Sequence, residues 1–382
     1  MSLFLGIGLG PIQTGIFLSG AAKGGFSRIA IAEVDNKLKD AINDSGGTID
    51  INVAGSDKIY IEKIPGVEVY NPLDAQDLER LVEAAAEADE IATALPSVNF
   101  FGQVAKWLSK GFDKSPGKHR FIYTAENNNH AAERLKKAIS KDYPNTHYLN
   151  TVVGKMSGVV PAEDCKKDGL KPLCHKADRG HLVEEFNSIL ISSAPGIETR
   201  KVQGLHDKAD LYPFEEAKLY GHNAIHFLLG ILGKQSGKEY MSELKDCKEL
   251  MAFARSAFID ESGAALCKKW NGTDELFTPS GFAEYADDLL RRMANPFLKD
   301  AIDRITRDLP RKLSWEDRVI GAMRLVASQG ISPEKLANGA ALAAKELSGN
   351  APEAIRKCLA ELWPSPWGEE HKKIFDLISE KL

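Results

Sequence analysis

Up to residue 193, short runs of β-branched and aromatic residues alternate with stretches whose apolar residues recur every three or four positions. The pattern predicts a strand over 3–9, a helix over 11–23 and a second strand over 28–34. Residues 51–64 alternate like a strand or a hairpin. A helix over 75–88, a strand over 90–95, a helix over 100–110 and a strand over 120–124 follow. A helix over 129–140 and a strand over 147–153 continue the series. Strands separated by helices of this length predict a parallel, doubly wound sheet, because parallel neighbours need a crossover long enough to hold a helix. Phe121-Ile122-Tyr123 is apolar without alternation, as a strand covered on both faces must be.

The rhythm then changes. Residues 165–180 are polar and read as an excursion or loop, and 182–192 adds one more strand. Beyond them, 215–232, 240–254, 281–293, 315–329 and 333–344 all carry helical periodicity. The chain therefore reads as an α/β domain over 1–193 followed by a mainly α-helical domain over 194–382, and a length of 382 residues suits two domains.

Charge and composition narrow the function. A net charge of −5 gives no reason to expect a polyanionic partner, so nucleic-acid binding is not expected, although basic residues gather between Arg304 and Arg318. Five cysteines without a paired framework favour reduced thiols and a cytoplasmic location. No segment approaches the roughly 18 apolar residues of a membrane span, so no membrane partner is expected. The start of the chain lacks the pattern of a cleavable export signal.

The first candidate site lies between the first strand and the first helix, in Gly6-Ile7-Gly8-Leu9-Gly10-Pro11-Ile12-Gln13. Glycines there let a backbone approach a pyrophosphate, whose charge the helix amino terminus stabilises. Gly8, Gly10, Pro11 and Ile12 are the expected contacts. Gln13 stands where the third glycine of the usual pattern would permit close helix–strand packing. Glu33, at the end of the second strand, is spaced to bind ribose hydroxyls and to repel a 2′-phosphate. Together these predict a Rossmann-type domain that binds NAD rather than NADP.

The second candidate site lies on the helix after Glu215. Lys218, Asn223 and His226 fall within a broad arc of one helix, and a lysine, an amide and an imidazole on one face suit alcohol oxidation. Lys218 could take the hydroxyl proton, and Asn223 could stabilise the developing oxyanion. The lysine needs burial to lower its pKa for that role.

On this K-x4-N-x2-H stretch the chain resembles the polyol-specific long-chain dehydrogenases of the mannitol dehydrogenase family. The resemblance extends through the Gly8–Gly15 turn, Ala125-Glu126-Asn127, Asn295-Pro296-Phe297-Leu298-Lys299-Asp300 and the basic run through Lys312. It implies a metal-independent, NAD-dependent enzyme that interconverts a polyol and a ketose, with Lys218 as the acid/base. It implies that Asn127 and Asn223 form the oxyanion site, that His226 binds a substrate hydroxyl and that Glu215 relays protons. It also implies that Arg304 and Lys312, eight residues apart, hold the substrate. Arg304, Arg307, Arg311 and Lys312 could hold a sugar phosphate such as mannitol 1-phosphate or fructose 6-phosphate, or form a solvated helix end paired with Asp300, Asp303 and Asp308. Free mannitol or a uronate is the alternative within the family, and an inactive NAD-binding sensor is the alternative outside it. One departure stands out: Val153-Gly154-Lys155-Met156 occupies the place of the family's V-D-R-I, where the acid faces the substrate. Cys165, Cys174, His175 and His181 lie close in sequence, but their spacing matches no common zinc pattern.

Overall fold

The first apolar run folds as β1 (Leu3–Ile7), and its alternation sets the build of the first unit. Leu3, Leu5 and Ile7 enter one core cluster with apolar side chains from helices Ala75–Glu87, Phe101–Lys114 and Ala131–Ile139. Phe4 enters a second cluster with Ile16, Phe17, Ile51 and Val183. The strand is thus covered on both faces. β7 (Arg120–Thr124) behaves in the same way, with Phe121 and Tyr123 in the second cluster and Ile122 in the first. Complete burial of each such side chain contributes about 1.5–3 kcal/mol.

The computed structural model describes residues 2–382 in two units, one ending at Leu211 and the other spanning Tyr212–Leu382. The first unit also contains β2 (Arg28–Ala32), β3 (Ile49–Ala54), β4 (Ile59–Ile64), β5 (Val67–Tyr70), β6 (Glu90–Thr93), β8 (Thr146–Val152), β9 (Ser157–Pro161), β10 (Arg179–Glu184), β11 (Ile189–Ser192) and β12 (Leu205–Lys208). Its large sheet has the order β12-β11-β8-β7-β6-β1-β2-β5. The six strands from β8 to β5 are parallel. Read from β5, they follow the order 3-2-1-4-5-6 of doubly wound dinucleotide-binding sheets. β11 joins antiparallel to β8 and carries β12 parallel to itself. The sheet of this unit therefore continues beyond residue 193.

A second sheet, β4-β3-β10-β9, covers the other face through the cluster shared by Ile51, Val183 and Phe4. The alternation over 51–64 is a hairpin, β3 against β4. The single run over 182–192 divides into β10 and β11, which belong to different sheets. The excursion over 165–180 holds a short helix, Ala162–Asp168, and ends where β10 begins.

The second unit is helical. Its long elements include Ala224–Gln235, Pro279–Met293, Ile320–Ser328 and Glu334–Ser348, with Pro352–Leu362 and Glu369–Ser379 beyond the predicted set. The stretch expected to be helical from 315 becomes so only at Ile320, after a turn in which the Asp317 side chain accepts from both Arg311 and Arg318. Among the described residues no helix is long and apolar enough to cross a membrane.

Candidate active site

Two cavities, one in each unit, gather most of the residues singled out by the sequence. The first, about 710 Å³, lies at the carboxyl ends of β1, β2 and β6. Gly8, Gly10, Pro11, Ile12 and Glu33 line it, with Pro72, Leu73, Leu95 and Trp107 as apolar walls. β1 and β6 diverge here, the switch point at which such sheets bind ligands. Gly8 has φ +85°, and a Cβ there would stand 2.9 Å from the Ala94 carbonyl, so both conformation and space require glycine. A Cβ at Gly10 would meet nothing within 4 Å, which leaves the backbone open to a pyrophosphate. The first helix then begins with unpaired backbone N–H groups that suit an anion.

Glu33 does more than face the cavity. Its carboxylate accepts from the Leu9 N–H at 3.0 Å and the Asp35 N–H at 2.9 Å. It therefore fastens the glycine turn to the end of β2 and still presents an acid to a ribose. The position of the missing third glycine is also explained. The buried Gln13 carboxamide fills the space that a Cβ at Gly6 would need, so strand glycine and helix glutamine have exchanged roles. The helix forms a π turn over Gln13–Leu18 at this point. These residues fit a dinucleotide.

Asn127 lies in the first unit, exposed just beyond β7 in a tight turn closed by Asn128 N–H to the Glu126 carbonyl, 2.7 Å. The Glu126 side chain was named in the sequence only as part of a motif. Buried, it accepts from Thr93 Oγ1 and from the Leu95 N–H, both at 2.8 Å. It thus links the ends of β6 and β7 and fixes a wall of the cavity. Burial raises its pKa despite those bonds.

At the departure from the family pattern, Lys155 turns to the protein and donates to the Phe186 carbonyl at 2.7 Å. Met156 N–H donates to the Glu184 carboxylate at 2.5 Å, so β10 brings an acid to this loop. Of the soft-ligand cluster, His181 instead meets Thr14 through Nδ1 at 2.8 Å. Among the described residues no group of three or more His, Cys, Asp or Glu is arranged to hold a metal ion.

In the second unit, Lys218 and Asn223 lie within another π turn, Ala217–Asn223, which leads into helix Ala224–Gln235. An ordinary helix would separate positions i and i+5 by about 140°. The i→i+5 bonding of a π turn brings them toward one face. Burial, then the charge of Arg318, lowers the Lys218 pKa to about 8, against the pull of Glu215. That value matches a proton acceptor working near neutral pH. His222 is buried beside His226, their rings 6.0 Å apart. Burial and neighbouring positive groups push its pKa far down.

The second cavity, about 280 Å³, is lined by Asn223, His226, Phe227, Arg304, Arg307 and Lys312, with Asp308, Arg311 and Arg318 around them. Lys218 is absent from this lining; Arg318 joins the two, since its charge also acts on Lys218. Gly230 allows the assembly, because a Cβ there would stand 2.8 Å from Ile305. Helix Ile302–Thr306 can therefore lie close to helix Ala224–Gln235. His226 Nε2 is 3.0 Å from the buried Asp300 carboxylate, to which Arg304 also donates. Burial alone would raise the Asp300 pKa, but His226 and Arg304 reverse the shift and lower it. Asp300 and Arg318 are site residues the sequence reading did not select, although Asp300 closes a quoted motif. Lys312 Nζ donates to the carbonyls of Ile305 and Arg307.

Residues 210–356, most of the helical unit, match the mannitol dehydrogenase C-terminal domain. The chain is 27% identical over 343 residues to mannitol-1-phosphate 5-dehydrogenase of Brevibacillus brevis, covering 88% of this chain and 83% of that protein. The enzyme of the same name from Enterococcus faecalis is also 27% identical, with 86% and 83% covered. Among solved structures, Pseudomonas fluorescens mannitol 2-dehydrogenase in ternary complex with NAD and D-mannitol is similar in fold. Its TM-score is 0.70 at 13% identity, with 100% of this chain and 91% of that one covered. A substrate-free D-sorbitol dehydrogenase gives 0.72 at 15% identity, covering 92% and 81%. The resemblance read from the motifs is thus met over most of the chain.

Proposed function

We propose that the protein is an NAD-dependent, metal-independent polyol dehydrogenase that interconverts mannitol 1-phosphate and fructose 6-phosphate. The observation that carries this reading is Lys218, set in a π turn with Asn223 and held near pKa 8 by burial and by Arg318. The 27% identity to mannitol-1-phosphate 5-dehydrogenases over most of both chains supports the substrate.

NAD would supply the hydride acceptor for polyol oxidation. Gly8, Gly10, Pro11 and Ile12 would hold its pyrophosphate, and Glu33 its adenosine ribose. Neutral Lys218 takes the proton of the reacting hydroxyl, and in the reverse direction its ammonium returns it. Asn223 and Asn127 donate hydrogen bonds to the oxygen as negative charge grows there. His226, held by Asp300, binds a neighbouring hydroxyl, and Glu215 passes the proton onward to solvent. Arg304 and Lys312 belong to the part of the site that receives the far end of the substrate. The five cysteines, all unpaired, suit a cytoplasmic enzyme.

The test is NADH oxidation with fructose 6-phosphate, fructose, fructuronate and tagaturonate as alternatives, before and after prolonged chelator treatment. Strongest turnover of fructose 6-phosphate, unchanged by the chelator, is expected. Preference for a uronate would replace the substrate, NAD binding without any turnover would indicate a sensor, and loss of activity restored by zinc would overturn metal independence.

A further inference from the structure

Most positive charges in the second unit's cavity already have partners. Arg304 donates to Asp300, Arg311 to both Asp308 and Asp317, and Arg318 to Asp317. Lys312 is buried, with two of its ammonium protons directed at the carbonyls of Ile305 and Arg307. The Arg307 guanidinium is different. It lines the cavity, is exposed, and has no acidic partner among the described residues.

The backbone holds it there. Arg307 follows helix Ile302–Thr306 in an extended conformation, and Asp308 then takes the left-handed region, φ +59°. Such a turn is costly for a residue other than glycine, and aspartate is among those that tolerate it. Lys312 secures the turn by capping carbonyls that the ended helix leaves free. Lys312 is thus a positioning residue for Arg307 as well as part of the wall.

We propose that Arg307 is the phosphate-reading residue of this cavity, presented by the Lys312-capped turn. Resting on the polyol-phosphate reading above, this assigns the discrimination between phosphorylated and free substrates to a residue other than Arg304. With the arginine–aspartate pairs satisfied, the surplus positive charge resides on Arg307 and Lys312. That surplus matches a phosphate, which carries nearly two negative charges at neutral pH, better than a singly charged carboxylate. A guanidinium can also donate two parallel bonds to phosphate oxygens.

Calorimetric titration of inorganic phosphate into the full-length protein, with Arg307→Ala and Arg307→Lys beside it, tests the proposal apart from turnover. Wild type should bind phosphate, alanine should weaken binding about ten- to hundredfold, and lysine should fall between. Unchanged melting temperatures would show that the variants remain folded. With fructose 6-phosphate, Arg307→Ala should raise KM far more than it lowers kcat. Equal phosphate binding by wild type and Arg307→Ala overturns the proposal, as does no binding by wild type or tighter binding of gluconate than of phosphate. Phosphate binding that depends on Arg307, in a protein that turns over no sugar phosphate, supports the assignment and overturns the substrate reading instead.

Discussion

The carboxamide of Gln13 occupies the volume that any side chain at Gly6 would require. Ile31 of β2 crowds the same spot, so Gly6 lets both side chains close over β1, and positions 6 and 13 are predicted to be coupled.

Gly6→Ala should destabilise the protein by about 1–3 kcal/mol, as overpacking a full core does. It should also weaken NADH binding, because the glycine turn begins at Gly8. The Gly6→Ala, Gln13→Ala double variant should recover part of the loss, the remainder reflecting Ile31 Cδ1, 2.4 Å from the added methyl, and thermal unfolding of the four proteins measures this. Strict additivity would mean that Gln13 is not what makes glycine necessary.

Lys218→Ala should reduce turnover by roughly two to four orders of magnitude, with little change in NADH affinity. The pH dependence follows from the sign of the shift. Oxidation needs the neutral amine, so its rate should climb as pH rises through about 8. Reduction needs the ammonium and should decline over the same interval. A wild-type oxidation profile that is flat from pH 7 to 9 would remove Lys218 from the proton transfer.

The alternating strands and helices of the first unit were legible because β1, β2, β6 and β7 are buried on both faces and separated by strongly periodic helices. The small sheet was legible in part: the alternation over 51–64 marks β3 and β4, whereas β9 contains no fully buried residue and carries little hydrophobic signal. The run over 182–192 hid a change of sheet: Glu185, Asn187 and Ser188 interrupt it, but a short polar break does not show which sheet the next strand joins. The candidate site residues Lys218, Asn223, His226 and Glu33 were picked out because they belong to spaced patterns. Asp300, Arg318 and Glu126 act through contacts distant in sequence, such as Thr93 with Glu126, and spacing alone does not reveal those.

Asp300→Asn should raise KM more than it lowers kcat, because it loosens His226 rather than removing a group from the reacting oxygen. The ion pair with the half-exposed Arg304 would be lost too, so a loss of about 1 kcal/mol in stability is expected. Kinetics at saturating substrate separate the two effects. A pure fall in kcat would point to a direct chemical role for Asp300.

Glu33→Ala should weaken NADH binding and narrow the preference over NADPH, since it removes both the repulsion of a 2′-phosphate and the anchor for Leu9. Fluorescence titration with each dinucleotide measures this. An unchanged ratio of affinities would mean that the carboxylate serves the turn alone.

The widened turn Ala217–Asn223 makes the spacing of Lys218 and Asn223 a matter of residue count as well as residue type. Removing one residue between Lys218 and Asn223, such as Leu219, would let the segment relax to ordinary helical winding. Asn223 would become an i+4 neighbour of the lysine and His226 an i+7 neighbour, still on nearly the same face. The strain of the shortened connection would then pass to Tyr212–Glu216, and so to the anchoring of Glu216 by Lys269 and Trp270. Loss of that anchor, with Lys218, Asn223 and His226 still aligned, is how such a deletion should act: by a register error in the scaffold rather than by missing chemistry.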